Sequence, residues 1–221
     1  KNKPTMAISK NGILGGFSGR IGNVVGVKLN GEHILRTLPR PSKKPPTEKQ
    51  NLQRLKFALA IEFTKPFLWI TERFFMDDLS GGVRKNKIIS YTLSHVITIK
   101  DQEFNIEWSK FLLSSGALSG FHCLETHIED QVISLQWQDN SHQGFANAED
   151  DVYAVIVSES LEKIAFLEKI STRSTLHATL NLPTWLATET MHVYLFLHNL
   201  KAKQSSNSFY VGKYKAGVSV G

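Results

Sequence analysis

The chain has 221 residues, of which 41% are hydrophobic, enough to bury a core and to form one large domain or two small ones. Its formal net charge of +6 is unevenly placed. Residues 1–50 hold ten Lys/Arg against two Asp/Glu, net +8, and the other 171 residues hold 16 against 18, net −2. A single cysteine, Cys123, excludes an intramolecular disulfide framework and a multi-cysteine zinc knuckle.

The start KNKPTMAISK is charged and polar, and no later apolar run reaches the length of a membrane span. Lys1 is not an initiating residue, so either processing removed what preceded it or the residues before Met6 are additional to the native chain. The first strong structural signal is Asn30-Gly31, a type I′ turn pair between two β-type segments, Asn23 to Leu29 and Glu32 to Leu38. A two-residue loop sets Leu29 opposite Glu32, Val27 opposite Ile34 and Val25 opposite Arg36 on one face. Lys28/His33, Gly26/Leu35 and Val24/Thr37 fall on the other. Both faces are partly apolar, which predicts a ribbon gripped between other elements. The glycine run that leads into it is Gly12, Gly15, Gly16, Gly19, Gly22 and Gly26. A phosphate cradle needs a helix opening directly after its glycines, whereas a hairpin follows these, with no Gly-Lys-Ser/Thr. They read instead as a turn system that lets backbones approach closely.

Pro39, Pro41, Pro45 and Pro46, interleaved with Arg40, Lys43 and Lys44, predict an extended basic arm. The arm ends at Thr47, where Thr47-Glu48-Lys49-Gln50 matches a capping box and predicts a helix start. Apolar residues then recur at Leu52, Leu55, Leu59, Phe63, Phe67, Ile70 and Phe74, across Pro66, which predicts two helices or one kinked helix. Phe57, Trp69 and Phe75 lie off that stripe and are expected to widen its buried face. Ser80-Gly81-Gly82 is expected to break the helix, and Asn86 to Ile99 reads as helix, then strand. From Glu103 onward come short runs divided by Gly, Asn, Asp and Ser: EFNIEW, KFLLS, CLETHI, VISLQW, DVYAVIVS, KIAFLEK, HATLNL, HVYLFLH and SFYVGKY. That pattern belongs to a sandwich or barrel. The fold class expected is α+β, mainly β, with a hairpin-and-helix part over residues 1–100 and a β-sandwich over 101–221.

The ordered set GFSGRIGNVVG, LPRPSKKPPTEKQNLQRLKFALA, WQDNSHQGFANAEDD and HVYLFLHNLKAKQSSNSFYVG resembles an uncharacterised bacterial family, a domain of unknown function with a glycine-rich start. The glycine-rich segment with Thr47, Gln50, Arg54 and Phe57 is similar to a Thr-x-x-Gln, Arg-x-x-Phe pattern in proteins encoded near bacteriophage structural genes. Leu182-Pro183, Tyr194 and Ser206-Asn207-Ser208 resemble the closing strands of fibronectin type III and immunoglobulin-like modules. That resemblance implies a corner-tyrosine role for Tyr194.

Three constellations invite a chemical reading. His122, Cys123 and His127 offer metal-ligand atoms, but along a strand Cys123 and His127 stand about 13 Å apart; a buried thiol beside surface histidines is the expectation. Asp139, Ser141, Gln143, Gly144, Phe145, Asn147 and Asp150 occupy positions of a calcium-loop template, yet only two are charged and the flanks read as strands, so a polar inter-strand loop is expected. Glu149 and Asp151 are close in sequence, which is no evidence that they flank a cleft. No catalytic, cofactor-binding or metal residue is therefore nominated, and no cofactor is implied. The expected function is a non-enzymatic structural or interaction protein with a protein partner or self-association. The alternative is nucleic-acid or anion binding through Arg36, Arg40, Lys43, Lys44, Lys49, Arg54 and Lys56.

Overall fold

The computed structural model describes residues 8–9, 16–29, 31–39, 45–75, 81–100, 103–129, 131–182 and 189–215. The chain divides into two compact units, Lys1–Glu48 and Lys49–Gly221.

The first unit is an antiparallel meander of four strands in sequential order: β1 (Ile8–Ser9), β2 (Phe17–Ile21), β3 (Val24–Leu29) and β4 (Glu32–Thr37). The β3–β4 register has Leu29 opposite Glu32, Val27 opposite Ile34 and Val25 opposite Arg36, as the two-residue loop demands. Asn30 itself, and Arg40 to Lys44 of the proline arm, lie outside the described residues, as do Gly12 and Gly15. Sequence reading took the glycines for turns only and missed β2. At Gly26 a Cβ would stand 2.2 Å from the Phe17 carbonyl oxygen, so the residue is glycine because the neighbouring strand and the Phe17 ring press against it. Among the described residues the ribbon is not gripped as expected. Ile21, Leu29, Ile34 and Leu35 are exposed, and every residue of β4 is solvent-facing.

The second unit opens with α1 (Glu48–Thr64), directly after Thr47. Pro66 sits in a single 3-10 turn, Lys65–Phe67, before α2 (Leu68–Phe74), so the apolar stripe is carried by two helices. Only its later part is core: Phe63, Phe67, Ile70 and Phe74 are buried, whereas Leu55 is exposed. Of the aromatics expected to widen the face, Phe75 is buried but Phe57 and Trp69 are exposed. Gly81 and Gly82 begin the next helix, α3 (Gly81–Tyr91), rather than ending the previous one, and Ser80 lies outside the described residues. A π-turn over Thr92–Val96 leads into β5 (Ile97–Lys100), which pairs with β6 (Glu103–Ile106).

The sandwich has one sheet of β7 (His122–Glu129), β8 (Val132–Gln138) and β11 (His177–Asn181), in the order β11-β8-β7. The other holds β9 (Asp151–Ser158), β10 (Ile164–Thr172), β12 (Thr190–Asn199), the short β13 (Gln204–Ser205) and β14 (Phe209–Lys215), with β9 and β14 flanking β12. Three strands facing five, one of them only two residues long, make a β-sandwich. KFLLS is not a strand; it follows a 3-10 turn (Trp108–Lys110) and inserts Phe111 and Leu113 into the core.

The larger sheet is buried on both faces. Val152, Ala154 and Ile156 of β9 meet Ile133, Leu135 and Trp137 of β8 inside the sandwich. Tyr153, Val155 and Val157, alternating with them, pack with Phe63, Phe67, Ile70 and Phe74 of the helical segment. The helical segment and the larger sheet thus share one cluster of buried side chains within the unit Lys49–Gly221. The helices form a third layer over the sheet, because strands apolar on both sides require a second cover. Tyr194 belongs to this outer layer, and its hydroxyl donates to the Trp108 carbonyl at 2.8 Å; Pro183, the other member of the corner resemblance, lies outside the described residues.

Candidate functional site

The loop between β8 and β9 that resembled a calcium template is organised by its own hydrogen bonds. Asp139 accepts the Ser141 backbone N–H at 2.9 Å, and Asp150 accepts the Asn147 N–H at 2.8 Å. Asp150 is fully buried and faces Arg173, itself fully buried, at 3.0 Å. The guanidinium also donates to the Ser119 carbonyl at 2.7 Å, the Gly120 carbonyl at 3.1 Å and the Asn140 side-chain oxygen. Asn199 donates to the second Asp150 oxygen at 2.6 Å. This is the polar inter-strand loop expected, anchored by an arginine that sequence reading missed because Arg173 follows a strand in a plain RST segment.

His122, Cys123 and His127 all lie on β7 and are exposed, so the thiol is not buried as expected. Cys123 takes a left-handed φ of 47° where the β7–β8 register shifts. Among the described residues, no group of three or more His, Cys, Asp or Glu is placed to hold a metal ion. Glu149 and Asp151 are each taken up in an ion pair, with Lys201 at 2.6 Å and Lys169 at 3.1 Å. Of the basic strip, Arg36 lies on β4 and Lys49, Arg54 and Lys56 lie on α1, while Arg40, Lys43 and Lys44 are outside the described residues.

A cleft of about 470 Å³ lies beside β12 and β14, lined by Phe104, Trp108, Glu159, His192, Tyr210 and Lys213 among others. Its floor is aromatic. The Trp108 ring stacks on the His192 imidazole at 3.8 Å and 6° between planes, and His192 Nδ1 shares a hydrogen bond of 2.8 Å with the Tyr210 hydroxyl. Nε2 of His192 is buried and has no partner among the described residues. Burial pushes the imidazole pKa down to about 4, against the opposing pull of the Glu159 charge, and pushes Tyr210 up to about 12. Both groups are therefore neutral near pH 7, and neither is poised to exchange a proton there. At the rim, Lys213 donates to Glu159 at 2.7 Å and holds that carboxyl below its usual range. Sequence reading missed the cleft, since its members come from four separated segments.

A second hollow, of about 440 Å³, lies on the outer face of the three-stranded sheet and includes Glu125, His127 and His177. No described helix is long and apolar enough to cross a membrane.

No curated protein matches the chain. Among solved structures, it is similar to the fn3 domain of the human collagen alpha-1(XX) chain, at 14% identity, covering 49% of this chain and 93% of that one, with a TM-score of 0.33. The model of a family of unknown function, DUF6266, matches residues 16–212, and the chain belongs to that family.

Proposed function

We propose that this chain is a non-enzymatic interaction protein in which the sheet of Lys1–Glu48 is the docking element and the three-layered second unit is its rigid support. The observation that carries this reading is the exposure of Ile21, Leu29, Ile34 and Leu35, between 41% and 59%, on a sheet whose last strand is solvent-facing throughout. A small sheet with that much uncovered apolar surface is only marginally stable by itself and gains by being covered. The polar groups of the second unit support the same reading, since Arg173, Asp150, Glu149 and Asp151 are occupied in structural pairs. An assembly role, in a phage-related or surface structure, agrees with the similarity of the glycine-rich start and Thr47, Gln50, Arg54 and Phe57 to proteins encoded near bacteriophage structural genes.

Light scattering over a concentration series tests the reading. The expected result is an oligomer that Val27→Asp and Ile34→Asp dissociate into folded monomers. A monomer at every concentration, destabilised by those substitutions, makes the sheet intramolecular core and overturns the proposal.

A further inference from the structure

We propose that the surface covering β4 is β4 of a second copy of this chain, joined antiparallel about a two-fold axis with Ile34 opposite Ile34. The inference rests on the docking role of the first unit and names its partner.

The phase of the ladder decides which backbone groups are free. Leu38 N–H donates to the Asn23 carbonyl at 2.7 Å, two steps beyond the Val25–Arg36 pair, so the even-numbered residues of β4 direct their N–H and C=O groups at β3. His33, Leu35 and Thr37 then direct theirs outward, and among the described residues no strand pairs with that edge. β4 carries charge at Glu32 and Arg36 but otherwise reads as an open edge among the described residues. It has no Lys, Pro or Gly, its pairing with β3 runs through all six residues without a register shift, and the opposite edge strand, β1, is only two residues long.

A two-fold antiparallel pairing that uses those outward groups has few registers. With His33 opposite Leu35, Glu32 lies opposite Arg36 and Ile34 opposite itself. With Leu35 opposite itself, Ile34 meets Arg36 and Glu32 falls outside the paired region. With His33 opposite itself, only three residues pair. The first register alone sets two opposite charges against each other, and the symmetry repeats the pair at both ends. Glu32, Ile34 and Arg36 share one face with Val25, Val27 and Leu29, so the dimer joins Val27 and Ile34 of one copy to Ile34 and Val27 of the other in an unbroken apolar row. Each four-stranded sheet becomes half of one continuous sheet.

Charge reversal on the full chain tests the register. Glu32→Arg and Arg36→Glu each place like charges opposite at both symmetric positions and are expected to weaken self-association about tenfold. An equimolar mixture of the two restores both attractions and is expected to associate as wild type does. In a Cys123→Ser background, Ile34→Cys is expected to form an intermolecular disulfide on mild oxidation, because residues opposite in a non-hydrogen-bonded pair stand about 4.5 Å apart at Cα, within disulfide reach. Leu35→Cys is expected to stay uncrosslinked. An oligomer that ignores both reversals, or crosslinks through Leu35→Cys instead, overturns this register and leaves the docking role standing. A wild-type chain that is monomeric throughout overturns both.

Discussion

Arg173 shows how much of the sandwich depends on one side chain. It ties the segments carrying Ser119, Gly120, Asn140 and Asp150 together in the sandwich, and its own carbonyl accepts the Trp137 indole N–H at 2.8 Å. Arg173→Met leaves Asp150 buried without a counter-charge and is expected to cost about 3–5 kcal/mol, read as a lower urea midpoint; a loss below about 1 kcal/mol contradicts the assignment. His192 makes a second, pH-dependent prediction. Its pKa is about 4 in the fold and 6.5 as a free side chain, so the unfolded state binds a proton that the folded state refuses as pH falls below 6.5. Stability is expected to decline from pH 6.5 towards 4, and His192→Phe should flatten that decline between pH 6.5 and 5, before most carboxylates titrate. An unchanged slope in denaturant midpoint against pH means that another group carries the effect.

At the level of elements, the decisive fact is that β9 and β12 bury both faces. The runs DVYAVIV and HVYLFLH are apolar at consecutive positions, a signal for two covers that the expectation of a separate C-terminal sandwich passed over. A fragment of residues 101–221 bares Tyr153, Val155, Tyr194 and Phe196 and is expected to be unfolded or aggregated, whereas residues 49–221 should unfold in one cooperative transition. Circular dichroism of the two fragments decides it, and a native-like spectrum from 101–221 restores the boundary near residue 100. In the first unit, Gly26→Ala drives a Cβ against the Phe17 carbonyl and is expected to part β2 from β3, seen as faster hydrogen exchange across Phe17–Ile21.

The whole chain is electrically divided, with net +8 over residues 1–50 and net −2 over the rest. Such an imbalance supports an anionic partner as the second reading of the first unit. If it acts on nucleic acid, a labelled oligonucleotide is expected to bind at low salt through residues 1–60 and to dissociate steeply as salt rises, because phosphate contacts release counterions. No binding at low salt, or binding unchanged in high salt, removes that reading. Sheet-edge pairing through backbone hydrogen bonds and Ile34 is expected to lose far less affinity over the same range, so one salt series separates the two partners.

What the sequence by itself determined is what depends on near neighbours. Asn30-Gly31 with alternating residues set the β3–β4 register, Thr47 marked where α1 begins, Pro66 divided the helical stripe, and the period-two runs announced the sandwich strands. The tertiary structure alone decided which apolar residues are covered, for Phe57, Trp69 and Phe75 look alike in sequence and only Phe75 is buried. It alone also brought Arg173 to Asp150, 23 positions away, and stacked Trp108 on His192. The reason is physical: turn and helix preferences are set by backbone sterics within a few residues, whereas burial and ion pairing depend on which distant segments the sheet order places side by side.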